Sequence, residues 1–425
     1  MRYRKRVADV LLGECLARKG AVLVEGPKWC GKTTTAKQQA KSVLNLGDTQ
    51  VLNQSKAMTA IDSHQLLLGD TPRLFDEWQT LPSLWDAVRS EVDSRGECGQ
   101  FIMTGSSVPV DSKMFVHSGT GRYARLKMRP MSLWESGDSV GKVSVADLFG
   151  QEEIGVVRID GGNTLEQLAF LICRGGFPQA VNQNNVLALE LAFDYVEDIV
   201  QIDIHRVDEV RRSSETTMRL LRSLARHQAT SANYSTLAAD LRENEGATTS
   251  PDTIASYITA LNRIFVLEDM PAWNPNLRSK AAIRTSDTRY FIDSSIAVAS
   301  LGVSPNDLMG DLRTMGLFFE TLVMRDLRVY ADILKAKVYH YRDANGLECD
   351  AVMHRRDGNY GLIEVKLGGE ENIEIGATTL KKLADIIDTT KMKKPAFLMV
   401  VVGVGNYAYK RPDGVYVVPI NCLKP

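Results

Sequence analysis

The sequence predicts an α/β architecture spread over several domains, and three observations carry that prediction. A short apolar run, Ala21-Val22-Leu23-Val24, passes straight into the glycine loop Gly26-Pro27-Lys28-Trp29-Cys30-Gly31-Lys32-Thr33 and then into the helix-like stretch Thr33 to Ala40. A second apolar run, Arg73-Leu74-Phe75, ends in the adjacent acids Asp76 and Glu77. Near the C-terminus, Val338 to Arg342, Glu348 to Met353 and Tyr360 to Lys366 read as successive strands after a helix that starts at Gly316. A chain of 425 residues has room for about two to three domains.

The bulk composition narrows the class without naming a function. Hydrophobic residues make up 44% and charged residues 24%, both ordinary for a globular protein. The net charge of −1 carries no global signal for nucleic acid or an anionic surface. The 6 cysteines form no CxxC pair and no HExxH is present, which argues against a structural zinc site and a disulfide framework. A reducing, cytoplasmic setting is the expectation. The stretch Met1 to Val10 is basic but lacks the apolar core of a secretory signal. No apolar run reaches the roughly 18 residues of a membrane helix, so no membrane partner is expected.

The glycine loop fits the pattern GxxxxGK[ST], and its strand–loop–helix context gives the pattern a physical meaning. Gly26 and Gly31 let the backbone curl around a phosphate. After Pro27, which has no N–H to give, the loop through Lys28, Trp29 and Cys30, continuing to Thr34, presents successive N–H groups to the anion. Lys32 is placed to reach the outer phosphates, and the Thr33 hydroxyl to bind Mg²⁺. ATP and Mg²⁺ are therefore the expected cofactors. The bland reading is a glycine turn before an ordinary helix. Asp76 is the candidate second metal-site residue, and Glu77 the candidate base that polarises the attacking water. The strand Phe101 to Gly105 ends in hydroxyl residues, of which Ser106 is the favoured phosphate sensor, with Thr104 and Ser107 as alternatives. Arg122, after the small residues Ser118 to Gly121, is the candidate arginine finger in its own or a neighbouring subunit, with Arg125 second. A finger acting in trans would need a homo-oligomer. Cys30 reads as a small residue that fits the loop.

The order of these motifs, followed by Arg129-Pro130-Met131-Ser132-Leu133-Trp134-Glu135, Arg174-Gly175-Gly176-Phe177-Pro178 and Asp293-Ser294-Ser295-Ile296-Ala297, resembles the prokaryotic AAA-type ATPases that carry a C-terminal domain of unknown function. The resemblance implies a P-loop NTPase core, AAA-like, followed by a helical lid. It also suggests Arg174 as a second sensor reaching back from the lid; a tight structural turn explains the same residues equally well. Ile202-Asp203-Ile204 departs from the more basic pair expected there, and Asp203 is assigned no role.

Leu165 to Cys173 and Leu187 to Val200 have helical apolar spacing and read as the lid. Helices at Thr216 to His227, Tyr234 to Leu241 and Pro251 to Leu261, then strands at Phe265 to Met270 and Ser279 to Arg284, read as a winged helix. Ser256, Thr259, Asn262 and Arg263 would face a DNA groove, with Arg278, Lys280 and Arg284 on the wing. Arg219, Arg222 and Arg226 crowd one face of the first helix, while Asp240, Glu243, Glu245, Glu268 and Asp269 offset them. Winged helices also contact proteins.

The C-terminal pattern resembles the PD-(D/E)xK nuclease superfamily. The resemblance carries over Glu320 on the first helix, Asp350 on the middle strand, and Glu364 with Lys366 on the next. Residues i and i+2 of a strand share a face, so Glu364 and Lys366 project together. Two carboxylates and a lysine suit Mg²⁺-assisted phosphodiester cleavage; the same fold also serves binding alone. The expected layout is 1–160 ATPase core, 161–215 helical lid, 216–300 winged helix and 301–425 restriction-endonuclease-like α/β domain. The expected function is Mg²⁺-dependent ATP hydrolysis coupled to duplex DNA. The alternatives are a signalling or scaffold ATPase that grips a protein partner, and an ATP-regulated nuclease.

Overall fold

The computed structural model describes residues 3–106, 119–150, 152, 154–159, 161–183, 185–208, 210–275 and 286–425. The chain divides into two compact units: Met1–Pro130 with Ile202–Arg211 and Thr259–Phe265, and Met131–Gln201 with Arg212–Ile258 and Val266–Pro425. Ser107 and Ser118, and Arg278, Lys280 and Arg284 of the expected wing, lie outside the described residues.

The first unit is built on five parallel strands: β1 (Ala21–Glu25), β2 (Ser42–Asn45), β3 (Arg73–Asp76), β4 (Phe101–Gly105) and β5 (Tyr123–Lys127). Their spatial order is β2-β3-β4-β1-β5. The interior strands β1, β3 and β4 are buried along most of their length, which is why they read as continuous apolar runs instead of alternating ones. Phe75, Trp78, Trp85, Val88 and Phe101 form the centre of one core. The helix Leu84–Arg95 closes on Gly96, whose φ of 67° is the left-handed cap that glycine supplies at low cost. The order has one consequence for chemistry. β4 lies between β1 and β3, and all three are parallel, so their C-terminal ends share one edge of the sheet.

The second unit carries a mixed sheet. Its strands are β6 (Val143–Ser144), β7 (Val157–Arg158), β8 (Ala336–Arg342), β9 (Glu348–Arg355), β10 (Tyr360–Lys366), β11 (Phe397–Val402), β12 (Tyr407–Lys410), β13 (Tyr416–Pro419) and β14 (Leu423–Lys424). Seven of them stand in the order β7-β12-β13-β11-β10-β9-β8. β8, β9 and β10 pair antiparallel, and β10, β11 and β13 parallel. The helices Leu312–Ile333 and Glu370–Ile386 both pack on this sheet. Short β6 and β14 pair separately.

A buried ion-pair triad ties distant segments of the second unit together. Arg325 is 2% exposed; its guanidinium lies 2.9 Å from Asp293 Oδ2 and 2.7 Å from Asp326 Oδ1. Asp293 also accepts the Gly176 N–H, and Asp326 the Leu133 N–H. Gly176 cannot carry a side chain, because a Cβ would sit 2.1 Å from the Met131 carbonyl oxygen.

Three helices, Ser214–Arg226, Tyr234–Asn244 and Pro251–Arg263, precede an antiparallel pairing of Leu267 with Phe291 and Met270 with Thr288. The partner of the 267–270 segment is therefore 288–291, downstream of the expected Ser279 to Arg284 strand, which lies outside the described residues. The basic face expected on the first of these helices is compensated. Arg226 lies 2.6 Å from Asp240 and 2.9 Å from Glu245, Arg222 3.5 Å from Glu245, and Arg219 2.7 Å from Glu215.

Candidate functional site

The glycine loop leaves the C-terminal end of β1 and closes on the helix Lys32–Lys37, with Gly31 at its N-cap in the left-handed region at φ 99°. Gly26 packs against the chain beyond β5: a Cβ there would fall 2.1 Å from the Met128 carbonyl oxygen. Lys32 is 5% exposed and folds back over the loop, donating to the carbonyls of Gly26 at 2.9 Å and Pro27 at 2.7 Å. Cys30 is fully buried, with its Sγ 3.6 Å from the Met128 carbonyl. Arg6 braces the loop from outside, donating to the carbonyls of Cys30 and Arg129.

Thr33 Oγ1 donates to Asp76 Oδ1 at 2.7 Å, and Thr104 Oγ1 donates to the same oxygen at 2.5 Å. Thr33 and Asp76 thus bring two hard oxygen donors together, a donor set that would suit Mg²⁺. Among the described residues, no group of three or more His, Cys, Asp or Glu is placed to hold a metal by itself. Glu77 follows in the left-handed region, φ 57° and ψ 43°, an uncommon conformation for a residue with a Cβ. Its Oε2 accepts from Ser106 Oγ at 3.1 Å and from Gln79 Nε2 at 2.5 Å. The sheet order explains the meeting: β4 runs beside β3, so Ser106 emerges next to Glu77.

Other candidates are placed elsewhere. Arg122 precedes β5, whose first residue is in register with Ala21 at the start of β1, so it occupies the sheet edge opposite the glycine loop. There it pairs with Asp93 at 2.7 Å. Arg125 pairs with Glu25 at 2.8 Å. Arg174 belongs to the second unit, is 7% exposed, and is held 2.7 Å from Asp138. Burial opposes the Asp138 charge, but the Arg174 guanidinium and the Ser136 hydroxyl outweigh it and hold the carboxyl below its ordinary range. Lys28 contacts Asp203, the residue left without a role by the sequence, at 2.5 Å.

In the second unit a separate polar cluster gathers on β9, β10 and the helix Leu312–Ile333. Lys366 Nζ lies 2.6 Å from Glu364 Oε2 and 3.5 Å from Asp350 Oδ2. Asp350 also accepts the Val365 N–H at 2.8 Å. Glu320 takes the Tyr290 hydroxyl at 2.6 Å and lines one cleft with Tyr290, His340 and Asp350. Burial and then the Asp350 charge raise the Glu320 carboxyl well above its ordinary range. The same two causes, opposed by Lys366, push Glu364 up to about 8. Burial opposes the Lys366 charge, but Asp350 and Glu364 raise its ammonium above the ordinary value.

The residues that sequence reasoning missed are Gln79, Tyr290 and Arg6. Gln79 stands two positions after Glu77, and a polar side chain at that spacing was the available signal. Tyr290 and Arg6 reach their partners only through long-range packing.

Residues 18–136 match the model of an AAA domain. Residues 165–307 match a domain of unknown function (DUF8612), and residues 315–423 another (DUF4143). Two uncharacterized proteins, Mb2031c of Mycobacterium bovis and Rv2008c of Mycobacterium tuberculosis, are each 22% identical over 421 residues, spanning 99% of this chain and 84% of theirs. Among solved structures, the Walker-type ATPase PABY2304 of Pyrococcus abyssi is 13% identical, covers 71% of this chain and 98% of its own, and gives a TM-score of 0.42. The Aeropyrum pernix ORC1 protein in complex with DNA is 13% identical, with coverages of 73% and 94% and a TM-score of 0.25. The AAA match supports a P-loop ATPase domain of AAA type around the glycine loop.

Proposed function

We propose that this protein binds ATP with Mg²⁺ in the Gly26–Thr34 loop, hydrolyses it, and couples the cycle to duplex DNA. The observation that carries the hydrolytic part is the convergence of Thr33, Asp76 and Thr104 on one oxygen, with Glu77 next in sequence and Lys32 in the loop. Thr33 and Asp76 would hold Mg²⁺, which when bound neutralises phosphate charge. The loop N–H groups and Lys32 hold the phosphates, Lys32 exchanging the Gly26 and Pro27 carbonyls for phosphate oxygens. Glu77 accepts a proton from the attacking water, and Ser106 holds its carboxylate. Arg122, at the opposite sheet edge, enters this scheme only as a residue supplied to a neighbouring subunit. Turnover per chain that rises with protein concentration, and becomes flat in Arg122→Ala, tests that role.

The three helices followed by an antiparallel pair support the winged-helix reading of 216–300 and hence contact with DNA. A specific observation favours the second reading, a protein partner: Arg219, Arg222 and Arg226 are each paired with an acid, and Arg263 lies 3.5 Å from Asp208. For the C-terminal cluster, a nuclease-like site is supported by Asp350, Glu364 and Lys366 lying together beside Glu320. Metal-dependent cleavage lost in Asp350→Ala and Lys366→Ala would mark an active nuclease; cleavage surviving both points to contamination.

The deciding experiment is Mg²⁺-dependent ATP hydrolysis, with and without duplex DNA, in wild type and Glu77→Gln. Glu77-dependent hydrolysis stimulated by DNA is the expected result. Hydrolysis indifferent to DNA moves the assignment to a protein partner. Failure to bind ATP with Mg²⁺ overturns the ATPase reading.

A further inference from the structure

Glu77 does not stand alone at the end of β3. Its left-handed backbone turns the chain at once into the short 3-10 turn Trp78–Thr80, and Trp78, 2% exposed, packs on Trp85 with ring centroids 5.5 Å apart. That anchored turn brings Gln79 back onto the carboxylate it follows. Gln79 Nε2 donates to Glu77 Oε2 at 2.5 Å and lies 3.4 Å from Ser106 Oγ, which donates to the same Glu77 oxygen. The amide cannot be turned over without setting its oxygen against a carboxylate oxygen, so its orientation is dictated by Glu77. At the other end of the amide, Gln79 Oε1 is buried and has no hydrogen-bond partner among the described residues. Gly105 makes room for it, because a Cβ there would fall 2.9 Å from both Gln79 Oε1 and Trp78 Nε1.

We propose that Gln79 is a positioning residue for hydrolysis, which with Ser106 clamps one oxygen of Glu77 and leaves the other to receive the proton of the attacking water. The role rests on the ATPase reading and assigns a function to a side chain outside the glycine loop and the acid pair. A general base acts only within hydrogen-bond reach and in the right orientation, and a misplacement of about 1 Å can cost on the order of 100-fold. Two donors on Oε2 remove the rotation that would otherwise spread Glu77 over several rotamers.

The test compares wild type with Gln79→Leu, which keeps the volume and removes both amide groups, and with Ser106→Ala. ATP affinity, kcat and KM are measured together, and the Gln79→Leu protein is crystallised. The expected result is a kcat lower by roughly 10- to 100-fold with ATP affinity within about twofold of wild type, and a Glu77 side chain displaced from its wild-type position. An unchanged kcat, a loss confined to KM, or a Glu77 that keeps its position overturns the proposal. A wild type that binds ATP but does not hydrolyse it defeats the ATPase reading instead; the crystal of Gln79→Leu then still decides whether Gln79 sets the Glu77 conformation. Should Gln79→Leu fail to fold, Gln79→Glu, which sets a like charge against Glu77, gives the same kcat and crystallographic readout.

Discussion

Lys28 Nζ, in the glycine loop, lies 2.5 Å from Asp203 Oδ1, although the two residues are 175 positions apart in the chain. Asp203 begins the short 3-10 turn Asp203–Arg206, in a segment that packs with the first unit although its neighbours in sequence belong to the second. A negative charge is thereby held beside the loop that, in the proposed function, receives phosphates. The Asp203 side chain is 9% exposed and that of Lys28 41%, so the pair is only partly screened. Asp203→Asn should tighten ATP binding by about two- to fivefold at low salt, within the range of a partly exposed ion pair. The gain should shrink as salt is raised. Titration of a fluorescent ATP analogue at two ionic strengths decides it, and an unchanged or weaker affinity would show that Asp203 supports the loop instead of opposing its ligand.

Gly26 has no room for a side chain. A methyl group would meet a carbonyl oxygen of the chain beyond β5, which is backbone and cannot swing away. Gly26→Ala should displace the loop and lower ATP affinity by at least about tenfold, because misplacing even one or two phosphate contacts costs more than 1 kcal/mol. Isothermal calorimetry with Mg²⁺ present reads this directly; binding as tight as wild type would mean that the loop is not the nucleotide site.

Arg325 neutralises two carboxylates in the interior of the second unit. Arg325→Met keeps the bulk and leaves Asp293 and Asp326 buried without their cation. Removing one partner of such a pair costs about 3–5 kcal/mol. Urea unfolding should show a loss of that size, and replacing Asp326 with Leu in the same protein should recover part of it. A loss below about 1 kcal/mol would contradict the central place given to the triad.

The C-terminal cluster predicts an unusual dependence of stability on pH. In the folded protein Glu364 is pushed up to about 8, against an ordinary value of 4.5. Between those values the folded state keeps a proton that the unfolded chain has released, so stability falls as pH rises. This contribution is complete below pH 4.5 and is lost as pH passes 8, with buried Glu320 acting in the same direction. Glu364→Gln should flatten the decline between about pH 5 and pH 8.5, measured by urea unfolding with a chelator present. A wild-type stability that rises across that interval would reject the assignment.

How much of this could be read beforehand depends on how far apart the cooperating residues stand. The glycine loop was legible because its chemistry is contiguous: Gly26 to Thr33 forms one short word, framed by a strand and a helix that each announce themselves by local pattern. Glu364 and Lys366 were legible as a pair for the same reason, since strand pleating alone puts them on one face. The strand order was not legible. That β4 enters between β1 and β3 is a matter of crossover connections, and it is what delivers Thr104 to Asp76 and Ser106 to Glu77.

Arginines were the least readable of the candidates, because a long cationic side chain takes whichever acid the fold brings near. Arg122 found Asp93, Arg174 found Asp138, and Arg325, which the sequence did not single out, became the centre of a buried triad. By itself the sequence determined the α/β class, the glycine loop between its strand and helix, the acid pair after it and the strand bearing Glu364 and Lys366, because each rests on neighbours within a few residues. Tertiary structure alone decided which side chains meet across the sheet, that Lys28 faces Asp203, and that the Gln79 amide turns onto Glu77. Those contacts are set by long-range packing and by the low tolerance of a buried site for unpaired charge, neither of which a local pattern encodes.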